Sequence, residues 1–145
     1  MIFRPGGGTV YRGMRNRGCF EYPATVRVEA FLRREIAQPD GTWVKKDSKG
    51  VSVAGSETSV FAEITPKGIA GIESMILRQI RNPRTQEALE IIADPPTKES
   101  DHGNIVGIPY LSENREIAEF LAGELARNST LTSQERFTNL RRTHL

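Results

Sequence analysis

Three short stretches of the chain hold the residue types best suited to chemistry. Tyr11-Arg12-Gly13 sets an arginine at the end of a β-rich run, and Gly50-Val51-Ser52-Val53 sets a serine between two valines. Asp101-His102-Gly103-Asn104 sets a histidine just before another apolar run. A guanidinium holds a phosphate through two parallel hydrogen bonds. A hydroxyl orients a ribose hydroxyl or an arginine. An imidazole titrates near neutrality and can move a proton or donate to an oxyanion. Together these are the components of a phosphate or nucleotide pocket. Each also has a structural use: Arg12 can pair with a carboxylate, Ser52 can fill a turn and His102 can cap a loop.

Other chemistries find less support. The two histidines and the one cysteine lie far apart, without the spacing of a zinc site, and no metal is expected. There is no phosphate-binding GxxxxGK[ST] loop, and Gly6-Gly7-Gly8 has no strand before it. No GxSxG turn is present to expose a nucleophilic serine. Cys19, alone, reads as a small core residue.

The elements that must position these residues are short. Thr9-Val10-Tyr11-Arg12 reads as a strand ended by Gly13. Residues 24–36 fit either a strand, through the alternation Val26, Val28, Ala30, Leu32, or a short helix, through Val28, Phe31, Leu32 and Ile36. Pro39-Asp40-Gly41 is a turn from which Thr42-Trp43-Val44 returns as a strand, and Asp47-Ser48-Lys49-Gly50 is another turn. Val51-Ser52-Val53 and Ser59–Ile64 read as two β segments. Residues 66–81 again allow two readings. Ile69, Ile72, Met75, Ile76 and Ile80 share a helical face, whereas Gly68 and Gly71 disfavour a helix and Ile72, Ser74 and Ile76 fit a strand. Leu89–Ala93 reads as a buried strand, ended by Asp94-Pro95-Pro96 ahead of a polar loop. Asn104–Ile108 reads as the next strand.

Two helices follow. Ser112 is placed to cap the first, with Glu113 and Glu116 in its opening turn and Ile117, Phe120, Leu121 and Leu125 on one face through about residue 127. Thr132-Ser133-Gln134-Glu135 opens the second as a capping box, with Leu131 as its staple. Strands first and helices last predict an α+β fold: a small twisted, mainly antiparallel sheet with two C-terminal helices. The expected organisation is a flexible arm over 1–8, a compact domain over 9–127, and a capping helix and tail over 128–145.

Composition bounds the class. With 145 residues, 37% hydrophobic, the chain can bury a core without staples, and its single cysteine excludes an internal disulfide. No apolar run reaches the ~20 residues of a membrane span, and the opening residues lack the apolar core of a secretory signal. A soluble, cytoplasmic protein is the expectation, with no membrane partner. The net charge of +2 conceals an asymmetry: residues 1–50 carry ten Lys/Arg and five Asp/Glu, or +5. Such a basic half suits a phosphate-bearing ligand or partner, or forms a solvated rim. Aromatics are not interleaved with the basic residues as a base-stacking platform would need.

Two resemblances bear on function. Val10-Tyr11-Arg12-Gly13, Ala30-Phe31-Leu32, Lys49–Val53, Gly71–Ser74 through Arg81, Leu89–Pro95, Asp101–Ile105 and Ala118–Gly123 resemble, over roughly residues 9–127, a widespread family of small uncharacterised bacterial proteins. More distantly, the Tyr-Arg-Gly strand followed by a serine-bearing strand resembles the ADP-ribosyltransferase fold. That resemblance implies that Arg12, beside Tyr11, holds the phosphates of NAD. It implies Ser52 or Ser59 as the serine, and Glu87 or Glu90 as the glutamate that stabilises an oxocarbenium-like state. The sequence has Ser56-Glu57-Thr58-Ser59 where that fold has Ser-Thr-Ser. It has Glu87-Ala88-Leu89-Glu90 in place of Glu-x-Glu, and residues three apart in a strand face opposite sides.

The leading expectation is a nucleotide or NAD pocket built from Tyr11, Arg12, Ser52 and His102, with Glu90 as the carboxylate. Its chemistry would be cleavage of the N-glycosidic bond of NAD, with or without transfer of ADP-ribose. Such an activity suits a toxin or defence effector, neutralised by a protein partner. The rival expectation is a non-enzymatic module in a toxin–antitoxin, defence or phage-particle assembly. It would bind protein or nucleic acid through the basic N-terminal half and the C-terminal helix pair.

Overall fold

The computed structural model describes residues 8–45, 48–94 and 101–144. Apart from Gly8, the expected N-terminal arm lies outside these residues, as does most of the polar loop after Asp94. The chain begins with β1 (Thr9–Met14), a 3-10 turn (Arg17–Cys19), β2 (Phe20–Glu21), β3 (Thr25–Val26) and a second 3-10 turn (Val28–Phe31). It continues through β4 (Glu35–Ala37), β5 (Trp43–Lys45), β6 (Val51–Ala54), α1 (Glu57–Glu63), β7 (Gly68–Glu73) and α2 (Ser74–Leu77). It ends with β8 (Glu90–Ala93), β9 (His102–Val106), α3 (Arg115–Arg127), β10 (Thr130–Leu131) and α4 (Gln134–Thr143). The fold is α+β. Six strands form one antiparallel sheet in the order β10-β7-β1-β6-β9-β8, and β2-β3 and β4-β5 form small hairpins. Among the described residues no helix is long and apolar enough to cross a membrane.

Sheet register sorts the side chains onto two faces. Val10, Arg12 and Met14 of β1 lie on one face, with Ala70 and Ile72 across the ladder. This face carries the larger core, closed by α3 and the Val28–Phe31 turn. α3 buries Ile117, Ala118, Leu121, Ala122, Leu125 and Ala126 against it. Phe120, expected on that face, is 44% exposed, and Ala118, Ala122 and Ala126 are buried beside Ile117, Leu121 and Leu125 instead. Tyr11 and Gly13 look to the opposite face, where Ala54, Val60, Ile69 and Phe137 form a second core under α1 and α4.

Several local expectations are corrected. Ser59–Ile64 is not a strand: the Ser56 hydroxyl accepts from the Ser59 N–H, and this cap with Glu57 in the first turn starts α1 despite the β-branched and aromatic run. Gly13 does not end β1, which continues to Met14. Asn114, not Ser112, caps α3 by accepting from the Ile117 N–H. Ser133 caps α4 by accepting from the Arg136 N–H, while Thr132 is turned away to donate to Glu57. Residues 66–81 resolve as strand then helix, since Gly68 and Gly71 sit within β7 and the chain coils only at Ser74. Residues 24–36 likewise divide among β3, a 3-10 turn and β4. After residue 127, Thr130 and Leu131 pair with Gly71 and Ala70 of β7.

Candidate functional site

β1 is zipped to β7 over six consecutive pairs, from Thr9↔Glu73 to Met14↔Gly68. Against β6 it pairs only at Tyr11↔Ala54. Beyond that contact the two strands form no further pair, and Arg12, Gly13 and Met14 of β1 with Ser52, Val53 and Ala54 of β6 wall a cavity of about 300 Å³. α1 roofs it through Val60 and Glu63, together with Ile64 at its C-terminal cap. That approach requires glycine at position 13, where a Cβ would stand 2.4 Å from Val60 Cγ1 and 2.6 Å from Ile64 Cδ1. The turn feeding β6 is equally constrained. Gly50 has φ of +123° and would press a Cβ to 2.3 Å from the Ile105 carbonyl oxygen.

Tyr11, Arg12, Ser52 and His102 all line this cavity. Arg12 and Ser52 start from opposite faces of the sheet and meet because the seam between their strands is open. The Arg12 guanidinium fills the seam: Nε donates to the Ala30 carbonyl at 3.1 Å and Nη1 to the Ser52 carbonyl at 3.0 Å. The side chain thus replaces ladder hydrogen bonds that β1 and β6 do not make, and it sets a fixed positive charge in the wall. Ser52 is mid-strand rather than in a turn. His102 is the first residue of β9 rather than the residue before it, and lies opposite Ala54 in register. Ser52 Oγ is 2.7 Å from His102 Nε2.

Two carboxylates that sequence reasoning did not select flank the same ring. Glu63 Oε2, from the end of α1, is 3.4 Å from Nε2, and Asp94 Oδ2, just past β8, is 3.7 Å from Nδ1. Burial pushes the Asp94 carboxyl up. Hydrogen bonds from Asn104 and Lys49 and the charges of Lys49 and His102 outweigh this and hold it below the usual carboxylate range. Glu63 escaped notice because its segment reads as a strand, and Asp94 because it reads as part of an Asp-Pro-Pro turn. The one available signal was the Ser56-Glu57 helix start, which would have carried Glu63 one helix length onward.

Glu90 does not join them. It lies exposed on the edge strand β8, opposite Val106, with Oε2 3.6 Å from Arg78 Nε. Glu87 falls in the loop before β8. Ser59 sits in the first turn of α1, where its hydroxyl donates to Asp101. Cys19 is half-buried at the cavity wall and against the main core. Burial pushes its thiol up, with the Arg12 charge pulling the other way.

The described basic residues of the N-terminal half include several with defined contacts. Arg12 and Arg15 line the cavity, Arg27 pairs with Glu21 at 2.7 Å, and Arg33 lies 4.0 Å over the Tyr110 ring while donating to the Ile108 carbonyl. Among the described residues no group of three or more His, Cys, Asp and Glu is arranged to hold a metal ion. Chemically, the cavity combines a fixed guanidinium, a hydroxyl bonded to an imidazole, and a carboxylate at its rim. No protein-family model, curated protein or solved structure matches the chain.

Proposed function

We propose that the cavity between β1 and β6 binds a nucleotide of the NAD class and cleaves its N-glycosidic bond, with water or a nucleophilic side chain of a target as acceptor. The observation that carries this reading is the convergence of Arg12, Ser52 and His102 on one cavity, with Ser52 Oγ 2.7 Å from His102 Nε2. In this reading Arg12 faces the diphosphate, since a planar guanidinium suits its oxygens. Ser52 and His102 meet the ribose and the nicotinamide end. The bond between nicotinamide nitrogen and ribose C1′ breaks with its electron pair leaving on neutral nicotinamide, and C1′ gains cationic character. Glu63, at the cavity rim beside His102, takes the electrostatic role that the ADP-ribosyltransferase resemblance gave to Glu90. With water as acceptor the products are ADP-ribose, nicotinamide and a proton. Loss of cellular NAD, or ADP-ribosylation of a target, fits a toxin or defence effector.

The test is nicotinamide release from NAD by the purified protein. Wild type releases nicotinamide, Arg12→Ala and Glu63→Gln lose most of that rate, and Glu90→Gln retains it. No release by wild type under any acceptor tested, or equal rates for wild type and Arg12→Ala, would overturn the reading.

A further inference from the structure

His102 lies on β9 between two strands, and the ladder fixes its neighbours on both sides. On one side, Ala54 of β6 is its direct partner and Ser52 its diagonal neighbour on the same face. On the other, Ala93 pairs with Gly103, so Asp94 falls opposite His102, and the Asp94 N–H donates to the His102 carbonyl at 3.0 Å. Asp94, His102 and Ser52 are therefore aligned across three strands by backbone register rather than by loops. Asp94 Oδ2 is also within 3.4 Å of Nδ2 of the buried Asn104, two residues further along β9.

We infer that Asp94 is a positioning residue that keeps the neutral His102 ring protonated on Nδ1, leaving Nε2 to accept the Ser52 hydroxyl proton. A carboxylate can only accept, so the nitrogen facing Asp94 is the one that carries hydrogen. Ser52 Oγ lies 2.7 Å from Nε2, and a hydroxyl at that distance can donate to an unprotonated ring nitrogen. Glu63 competes from the Nε2 side, but its side chain is 42% exposed against 22% for Asp94, so water screens it more. The consequence is directional. With its hydrogen turned to His102, Ser52 Oγ offers lone pairs to the cavity and suits a ligand donor, such as a ribose hydroxyl or a carboxamide NH₂, rather than a phosphate oxygen. The choice of those ligand groups rests on the function proposed above; the tautomer does not.

The experiment is nitrogen-15 NMR of the ligand-free protein labelled at histidine, the His102 signals being separated from those of His144 by a His102→Gln variant. Recorded at alkaline pH, where an imidazole is neutral, wild type shows hydrogen on Nδ1 and an unprotonated Nε2. Asp94→Asn shifts the population toward the Nε2–H tautomer, and Glu63→Gln leaves it in place. An Nε2–H ring in wild type overturns the proposal, and that spectrum decides even where Asp94→Asn fails to fold. An unchanged ring in a folded Asp94→Asn, or a shift caused by Glu63→Gln instead, also overturns it. The reading of wild type as an NAD-cleaving enzyme stands or falls separately on nicotinamide release. If wild type cleaves NAD, Asp94→Asn lowers kcat by up to about a hundredfold, the scale of misplacing a group that orients the substrate.

Discussion

The two edges of β1 make different uses of one strand. Toward β7 it is fully laddered, and the face it shares with β7 carries apolar residues that α3 and the Val28–Phe31 turn close over. Toward β6 it pairs once and then departs, leaving a cavity into which polar groups from β1, β6, β9 and α1 project. A strand zipped on one side can afford to be open on the other. The laddered edge fixes where Arg12 stands, and the open edge gives its guanidinium something to reach.

If that division is right, damage to the two sides should separate. The largest effect is expected from Leu121→Ala, which hollows the core of the laddered side under α3, where Leu121 is fully buried. Chemical denaturation should show a loss of about 2–5 kcal/mol, with ligand affinity unchanged while the protein remains folded. Gly13→Val tests the open side. The added side chain meets Val60 and Ile64, so α1 must lift from β1. The expected cost is about 1–3 kcal/mol, together with loss of binding in the cavity that α1 roofs. A Gly13→Val protein that keeps wild-type binding would show that the roof does not shape the cavity.

A smaller, pH-dependent effect sharpens the same contrast. Cys19 stands at the open side, and burial raises its thiol above the usual range. Because the thiolate is the reactive form, alkylation by iodoacetamide should be slow at neutral pH in the folded protein. It should rise only at alkaline pH and run faster in denaturant at the same pH. The linked stability has the matching sign. As pH climbs past the ordinary thiol value, the unfolded chain loses its proton first, so the contribution of the buried thiol declines. A ligand seated in the cavity should slow the reaction further.

What could be read in advance was local. β1, β6 and β9 were visible as β-branched runs, and the two C-terminal helices as capped apolar periodicities. Arg12, Ser52 and His102 stood out by residue type. What could not be read was register. Nothing in the sequence near His102 says that Asp94 lies across from it, because that follows from β8 pairing with β9 on one side while β6 pairs on the other. Glu63 was hidden for a different reason: Val60, Phe61 and Ile64 look like strand residues, and only the Ser56 cap turns them into a helix that brings Glu63 over the ring. The resemblance to the ADP-ribosyltransferase fold points to Glu90, and the edge position of β8 takes it away from the cavity.

Whether the open seam is a nucleotide site is tested most directly by a crystal structure of the protein with ADP-ribose. It should show the ligand in the cavity between β1 and β6, its diphosphate against the Arg12 guanidinium and a ribose hydroxyl on Ser52 Oγ. Ligand bound elsewhere on the chain, or a cavity that stays closed to ADP-ribose at saturating concentration, would contradict it.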